Sequence, residues 1–342
     1  MSDPLVVGVL YTPEFNDRFE QHLAELAAID PRVEIVVEPY EEPSELRSGR
    51  GVPPYDEVRH LAPPLTDEQR DAFARIDCCL TLDLPFDVAA VAPRLRWVQA
   101  LGAGVSHLTS AGLREARIRL TNASGANAAS IAEFVLTRVL GEFKQVRRLD
   151  ANQQRRQWRP VYGEGLAHRT IGLIGFGPIN QAVARRARAF DMSVVVLRRS
   201  AAASELADEV VGPEGLHDML GRCDIVAAAV PESPETHELF DAAAFAAMRD
   251  GSMFVNVGRG TLVHEPALAD ALHSGKLRAA AIDVAAVEPL PEDSPLWDAP
   301  NIYISAHCST DPSGFFDAVH DVFNRNVALF LAGRPLVNEI EL

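Results

Sequence analysis

Thr170-Ile-Gly-Leu-Ile-Gly-Phe-Gly-Pro-Ile-Asn180 is the stretch on which the fold of this chain turns. The apolar run Ile171 to Ile174 leads into Gly175-Phe176-Gly177. A helical stretch, 181–190, follows, and a second apolar run occupies 193–197. Strand, tight glycine turn, helix and strand in that order make a dinucleotide-binding unit. Gly175 allows the sharp turn, and Gly177 lets the backbone approach a pyrophosphate. The N–H groups that open the helix then face the phosphates.

The unit departs from the usual fingerprint twice. Asn180 stands where a third glycine would serve close helix–strand packing. It implies a slightly wider helix or a polar side chain near the phosphates. At the end of the next strand an NAD-binding unit usually carries an acid for the ribose 2′-hydroxyl. This chain has Arg198-Arg199-Ser200. Two guanidinium groups and a hydroxyl suit a 2′-phosphate that a carboxylate would repel. The expectation is NADP(H) in preference to NAD(H), with NAD(H) still possible. The competing reading is a solvated basic pair on a surface loop.

Composition sets the bounds. A chain of 342 residues, 47% hydrophobic, is globular and long enough for about two domains. A net charge of −16 argues against nucleic acid and anionic membranes as partners. Cys78, Cys79, Cys223 and Cys308 show no paired metal spacing, so no metal is expected and reduced thiols in the cytoplasm are the simplest reading. Met1-Ser-Asp-Pro4 opens no secretory signal, and no apolar stretch is long enough to span a membrane.

Strands and helices alternate almost throughout, which reads as α/β with parallel sheets. Strands are expected at 5–10, 33–37, 78–81, 96–99 and 117–120. A second set falls at 171–174, 194–197, 225–230, 253–257, 280–284 and 302–305. Helices are expected at 14–29, 127–148 and 314–331, and the proline- and charge-rich stretch 41–64 reads as a loop. The dinucleotide unit begins mid-chain, and the tail after Ser309 is too short for a domain. The economical arrangement is two Rossmann-like or flavodoxin-like domains. A cofactor domain, 126–309, is inserted into a split substrate domain, 1–125 plus 310–342. The helix at 127–148 and the segment after His307 would be the two crossings, with a ligand cleft between them.

Three features follow the glycine turn, each at the end of an apolar run: Asn256-Val257-Gly258-Arg259-Gly260, Asp283 to Glu288-Pro-Leu-Pro291, and Ile304-Ser-Ala-His307-Cys-Ser309. A guanidinium, a carboxylate and an imidazole on one sheet edge suit reduction of a 2-oxo acid. Arg259 would fork onto the substrate carboxylate and polarise the carbonyl. His307 would deliver the proton, and Glu288 would hold the imidazole and raise its pKa. Each has an ordinary alternative: a loop salt bridge, a solvated loop acid, a satisfied strand-end histidine. Gly102 and Gly104 in Leu101-Gly102-Ala103-Gly104-Val105 expose N–H groups that could bind a carboxylate, or form a plain strand-to-helix turn. The stretch 145–159, rich in Arg and Gln around Trp158, reads equally as a partner-facing arm or a solvated helix end.

In this ordered combination, from about Trp97 to Ser309, the sequence resembles the D-isomer-specific 2-hydroxyacid dehydrogenases. The matching pieces also include Asn127-Ala-Ala-Ser-Ile-Ala-Glu133 and Ser294-Pro-Leu-Trp297. The resemblance implies a substrate domain and a cofactor domain, hydride transfer, and a homodimer built on the cofactor domains. It implies Arg259, Glu288 and His307 as catalytic trio, and Leu101, Gly102, Ala103 and Gly104 as substrate loop joined by Arg259 and His307. It implies cofactor contacts at Pro178, Ile179, Pro231, Thr236, Val257, Gly258 and Asp283, the last toward the nicotinamide carboxamide. Ala306, and the small Ala285-Ala286-Val287 run, depart from the family pattern and would reshape the pocket. The Arg198-Arg199-Ser200 run resembles the NADP-preferring glyoxylate and hydroxypyruvate reductases.

The sequence therefore reads as an NADPH-dependent reductase of a small 2-oxo acid such as glyoxylate or hydroxypyruvate. One alternative is a nucleotide-sensing, corepressor-like binding protein on the same scaffold. Phosphite oxidation, which uses a similar trio, is another. Formate oxidation fits less well, because in the resembling enzymes its histidine pairs with glutamine and not with a carboxylate.

Overall fold

Apolar runs bounded by glycine, proline and polar turns become short parallel strands, buried on both faces. The computed structural model describes residues 4–50, 55–200 and 202–342. The reading of the first three residues, and of 51–54 within the expected 41–64 loop, lies outside the described residues. The chain divides into two compact units, Met1–Ala126 with Pro312–Leu342, and Asn127–Asp311.

In the first unit β1 (Leu5–Val9), β2 (Val33–Val37), β3 (Cys78–Thr81), β4 (Trp97–Ala100) and β5 (Arg119–Thr121) pair in parallel in the order β2-β1-β3-β4-β5. The chain's far end returns to this sheet. Glu339–Ile340 adds an antiparallel edge strand to β5. Helix Pro312–Leu331 lays Phe316, Val319, Phe323 and Val327 into the core around Trp97. A buried polar chain ties the same pieces together. Trp97 Nε1 donates to Thr121 Oγ1 at 2.8 Å, Thr121 Oγ1 donates to Gln99 Oε1 at 2.7 Å, and Asn326 Nδ2 donates to the same oxygen at 3.1 Å. Cys78 and Cys79 lie buried on β3, and all four cysteines are free thiols.

The second unit is a seven-stranded, all-parallel sheet. Its strands are β6 (Thr170–Ile174), β7 (Ser193–Leu197), β8 (Glu209–Val211), β9 (Ile225–Ala228), β10 (Ser252–Asn256), β11 (Leu277–Ile282) and β12 (Ile302–Ile304), in the order β12-β11-β10-β9-β6-β7-β8. Side chains alternate between two cores. Ile171, Leu173, Val194 and Val196 enter one, and Ile174, Val195 and Leu197 the other. The two-residue period of a strand explains why its sequence is apolar throughout when both faces are covered. Strand order reverses beside β6, so the loops after β6 and β9 part there. That crevice is where open α/β sheets take ligands.

Some expected elements are corrected. The helix at 14–29 is a turn at Pro13–Phe15 and a helix at Phe19–Ala27. Asn16 breaks it: the side chain is drawn inside, donates to the Tyr11 hydroxyl at 2.8 Å and accepts from Arg18 N–H at 3.1 Å. The helix at 127–148 ends at Phe143, and a second helix, Val146–Gln154, starts after Gln145 turns left-handed at φ 58°. The 41–64 stretch holds a helix, Ser44–Gly49, and turns at Tyr55–Glu57 and Arg59–Leu61. The short edge strands β8 and Glu339–Ile340 were not expected. Among the described residues no helix is long and apolar enough to cross a membrane.

Candidate active site

All the chemistry-bearing segments of the second unit leave the sheet at its carboxyl edge. The turn after β6 is tight because Gly175 sits at φ +82°, a conformation that strains any L side chain. A Cβ there would also strike Val230 in the loop after β9. Gly177 is the opposite case. A Cβ would meet no protein atom, so the fold itself does not require glycine at 177. Pro178 opens the following helix, Pro178–Ala189, at its first turn, where a missing N–H costs nothing.

Asn180 does not point at the phosphate position. Its side chain is fully buried, and Nδ2 donates to the Ile174 and Gly175 carbonyls, both at 2.9 Å. It clamps the turn from behind, which corrects the expectation of a polar group near the phosphates. The Oδ1 atom has no partner. Ile179 packs partly on the core, and Val257 is buried in it, leaving only backbone of Val257 to face a ligand.

After β7, the Arg198 guanidinium lies over the Phe176 ring, 5.5 Å from its centroid. The middle residue of the glycine turn thus holds the basic strand end beside that turn. Arg198 is half-buried and its Nε has no partner among the described residues, while Arg199 and Ser200 are exposed. After β9, Pro231 is exposed. The Thr236 hydroxyl closes its own loop, donating to Pro231 O at 2.9 Å and accepting from Ser233 N–H at 2.8 Å. Thr236 therefore shapes this loop through its side chain.

Asn256 ends β10 and braces the loop that follows. Its Nδ2 donates to Arg259 O at 2.9 Å and its Oδ1 accepts from Gly258 N–H at 3.0 Å. Arg259 is exposed and spends one N–H on Gly258 O, at 2.8 Å. Among the described residues the rest of the guanidinium fork has no partner. Gly260 brings this loop into backbone contact with the next one: a Cβ would collide with Ala285 and Ala286.

Asp283 follows β11, 2% exposed, with both oxygens engaged. It accepts from Ser305 Oγ at 2.7 Å, Cys308 N–H at 3.1 Å and Ser309 N–H at 3.0 Å. The same residue's carbonyl accepts from His307 N–H at 2.7 Å. Asp283 organises the histidine segment, a role in addition to the nicotinamide contact the resemblance implied. Ser130 adds a brace, donating to Ser309 O at 3.0 Å.

The result is the contact that matters most. His307 Nδ1 lies 3.0 Å from Glu288 Oε2, with both side chains open to solvent. A carboxylate only accepts, so Nδ1 carries the proton, and Nε2 is left without a partner among the described residues. In the first unit, Leu101 is buried and pinned through its N–H to Thr81 O at 2.7 Å. Asn122 Nδ2 donates to Ala103 O at 2.7 Å and fixes the next turn. Among the described residues the N–H groups of Gly102, Ala103 and Gly104 find no acceptor. Reading the sequence missed Phe176, Ser305, Ser130 and Glu265. Phe176, Ser130 and Ser305 lie inside motifs already singled out, without a role assigned to them, whereas Glu265 lies outside every motif.

A doubly wound parallel sheet with a glycine turn, a basic strand end and a braced His–Glu pair on one edge defines a dinucleotide-binding α/β protein of the dehydrogenase class. The chain belongs to the D-isomer specific 2-hydroxyacid dehydrogenase family, whose NAD binding domain it matches over residues 136–309. It is 32% identical to the D-3-phosphoglycerate dehydrogenase of Mycobacterium tuberculosis over 284 residues, 81% of this chain and 53% of that one. It thus spans about half the length of that relative. It is 30% identical to glyoxylate/hydroxypyruvate reductase B of Klebsiella pneumoniae over 260 residues, 73% of this chain and 80% of that one. Among solved structures it resembles an NADPH-dependent glyoxylate/hydroxypyruvate reductase from Sinorhizobium meliloti in complex with NADP and sulfate. The TM-score is 0.73 at 27% identity, over 99% of this chain and 98% of that one.

Proposed function

We propose that this protein is an NADPH-dependent reductase of a small 2-oxo acid, of the glyoxylate or hydroxypyruvate kind, working as a homodimer built on its cofactor unit. The observation that carries the reading is the His307–Glu288 contact at 3.0 Å, on the same sheet edge as the glycine turn and Arg259. The named activity of the Klebsiella relative and the NADP bound in the Sinorhizobium structure lend it support.

The residues fit a phosphorylated dinucleotide. Gly177 opens onto free space at a helix start, and the Arg198 cation sits beside that turn on Phe176. When bound, the nicotinamide supplies a hydride. Arg259 would hold the substrate carboxylate through its free N–H groups and draw charge toward the carbonyl oxygen. His307 would give its Nε2 proton to that oxygen. Glu288, on Nδ1, would fix the ring's orientation and stabilise its cationic form before the transfer. Arg199 and Ser200, exposed next to Arg198, would complete a 2′-phosphate site.

A panel of small 2-oxo acids assayed with NADPH and NADH tests the reading. NADPH should be strongly preferred. Replacing Arg198 and Arg199 by Ala should erode that preference about tenfold or more per arginine. His307→Asn should lower turnover by about two to four orders of magnitude. Failure of every acid to oxidise either cofactor would defeat the proposal.

A further inference from the structure

The Ala285–Glu288 loop is exposed for most of its length and belongs to no strand or helix. Its one internal bond is Ala285 N–H to Glu288 Oε1, at 3.1 Å, which leaves Glu288 Oε2 for His307. A carboxylate tied by one oxygen has the direction of the other set. That direction is only as fixed as the backbone supplying the N–H. Among the described residues, and apart from the His307–Glu288 contact itself, a single hydrogen bond tethers the loop from outside: Ala286 N–H donates to Glu265 Oε1 at 2.9 Å. Glu265 is well placed to be rigid. It opens helix Glu265–His273, where a negative charge is favoured, directly after the His264 cap. The same two alanines are also pressed by Gly260. The span 259–265 therefore carries Arg259 at one end and the tether at the other, with a backbone contact between them.

We propose that Glu265 is a positioning residue that holds the Ala285–Ala286 backbone, and through it the Glu288 carboxylate, against His307. The inference rests on the acid–base role of His307 set out above. Its test is made on the full chain, with Glu265→Gln, Glu265→Leu and Glu265→Asp. Gln keeps an acceptor oxygen at the same reach, Leu removes it, and Asp keeps the charge but draws the oxygen back.

Two readouts are needed: amide hydrogen exchange over residues 283–290 without ligand, and steady-state kinetics. Leu should lose protection in that stretch and lower kcat about tenfold to a hundredfold, with KM for NADPH within about twofold. Gln should stay near wild type in both, and Asp should fall between. Wild-type protection and kcat in Glu265→Leu, or equal losses in the Gln and Leu variants, would overturn the proposal. If Leu raises exchange across the whole chain, Asp decides: local loss with lowered kcat supports the tether, and wild-type behaviour overturns it. A wild-type protein inactive on every 2-oxo acid would defeat the functional reading alone, and the exchange measurement would still decide the tether.

Discussion

At Asn180 a single side chain replaces what a glycine would do by absence. Both Nδ2 hydrogens are spent on the carbonyls that end β6, so the amide cannot be flipped without setting its oxygen against two carbonyl oxygens. Asn180→Ala loses two hydrogen bonds but also removes the partnerless Oδ1. The expected loss is about 1–2 kcal/mol in urea unfolding. Asn180→Asp should cost more than Ala, because a carboxylate has no hydrogen to give either carbonyl. An aspartate variant as stable as the alanine one would contradict the clamp. A second residue-scale expectation concerns His320 in the first unit. It is fully buried, with Nε2 2.8 Å from the Tyr11 hydroxyl, and stacks on His22 with ring centroids 4.2 Å apart. Burial, with His22 beside it, pushes its pKa down to about 3 from 6.5. The unfolded chain therefore takes up a proton near pH 6.5 that the folded chain refuses until about pH 3. Stability is full above pH 6.5 and falls through that window as pH drops, by at most about 1.4 kcal/mol per unit. Urea midpoints should fall between pH 6.5 and 5 more steeply in wild type than in His320→Gln. Parallel slopes would show that His320 is not responsible.

Among the elements, β6, β7 and β9–β12 were legible because strands covered on both faces are written as continuous apolar runs between turn residues. The edge strands Glu209–Val211 and Glu339–Ile340 carry only three and two residues, too few to show a period. Helix breaks were legible only where glycine or proline marks them. At Gln145 the backbone turns left-handed without either residue. At Asn16 the break comes from a side chain bonding to Tyr11, a contact absent from local sequence. The site divides along the same line. Arg259, Glu288 and His307 stand at strand ends in recognisable motifs, so spacing exposed them. Asp283 was placed in the right segment, but the bonds its oxygens accept within the chain were not, because they depend on how the 305–309 segment folds back. Glu265 and Phe176 act through contacts between loops of different strands, which no reading along the chain contains.

For the molecule as a whole, charge distribution makes a separate prediction. The chain carries a net −16, yet Arg147, Arg148, Arg155, Arg156 and Arg159 fall together around the helix Val146–Gln154 and the segment after it. In that region Trp158 and Tyr162 are 103% and 88% exposed, and Val146 and Leu149 are exposed as well. Aromatic residues and arginines are the types that anchor interfaces, and here they stand exposed together. An acidic second copy of the same chain is the partner this stretch suits by charge. Sedimentation velocity of wild type at micromolar concentration should give a dimer. Trp158→Ala with Tyr162→Ala should weaken it by about a thousandfold or more if each anchor contributes about 2 kcal/mol. Because these side chains are almost fully exposed on their own chain, the thermal unfolding of the isolated variant monomer should match that of wild-type monomer at high dilution. A wild-type protein that stays monomeric at high concentration, or a double variant that dimerises as tightly as wild type, would remove this stretch from the assembly.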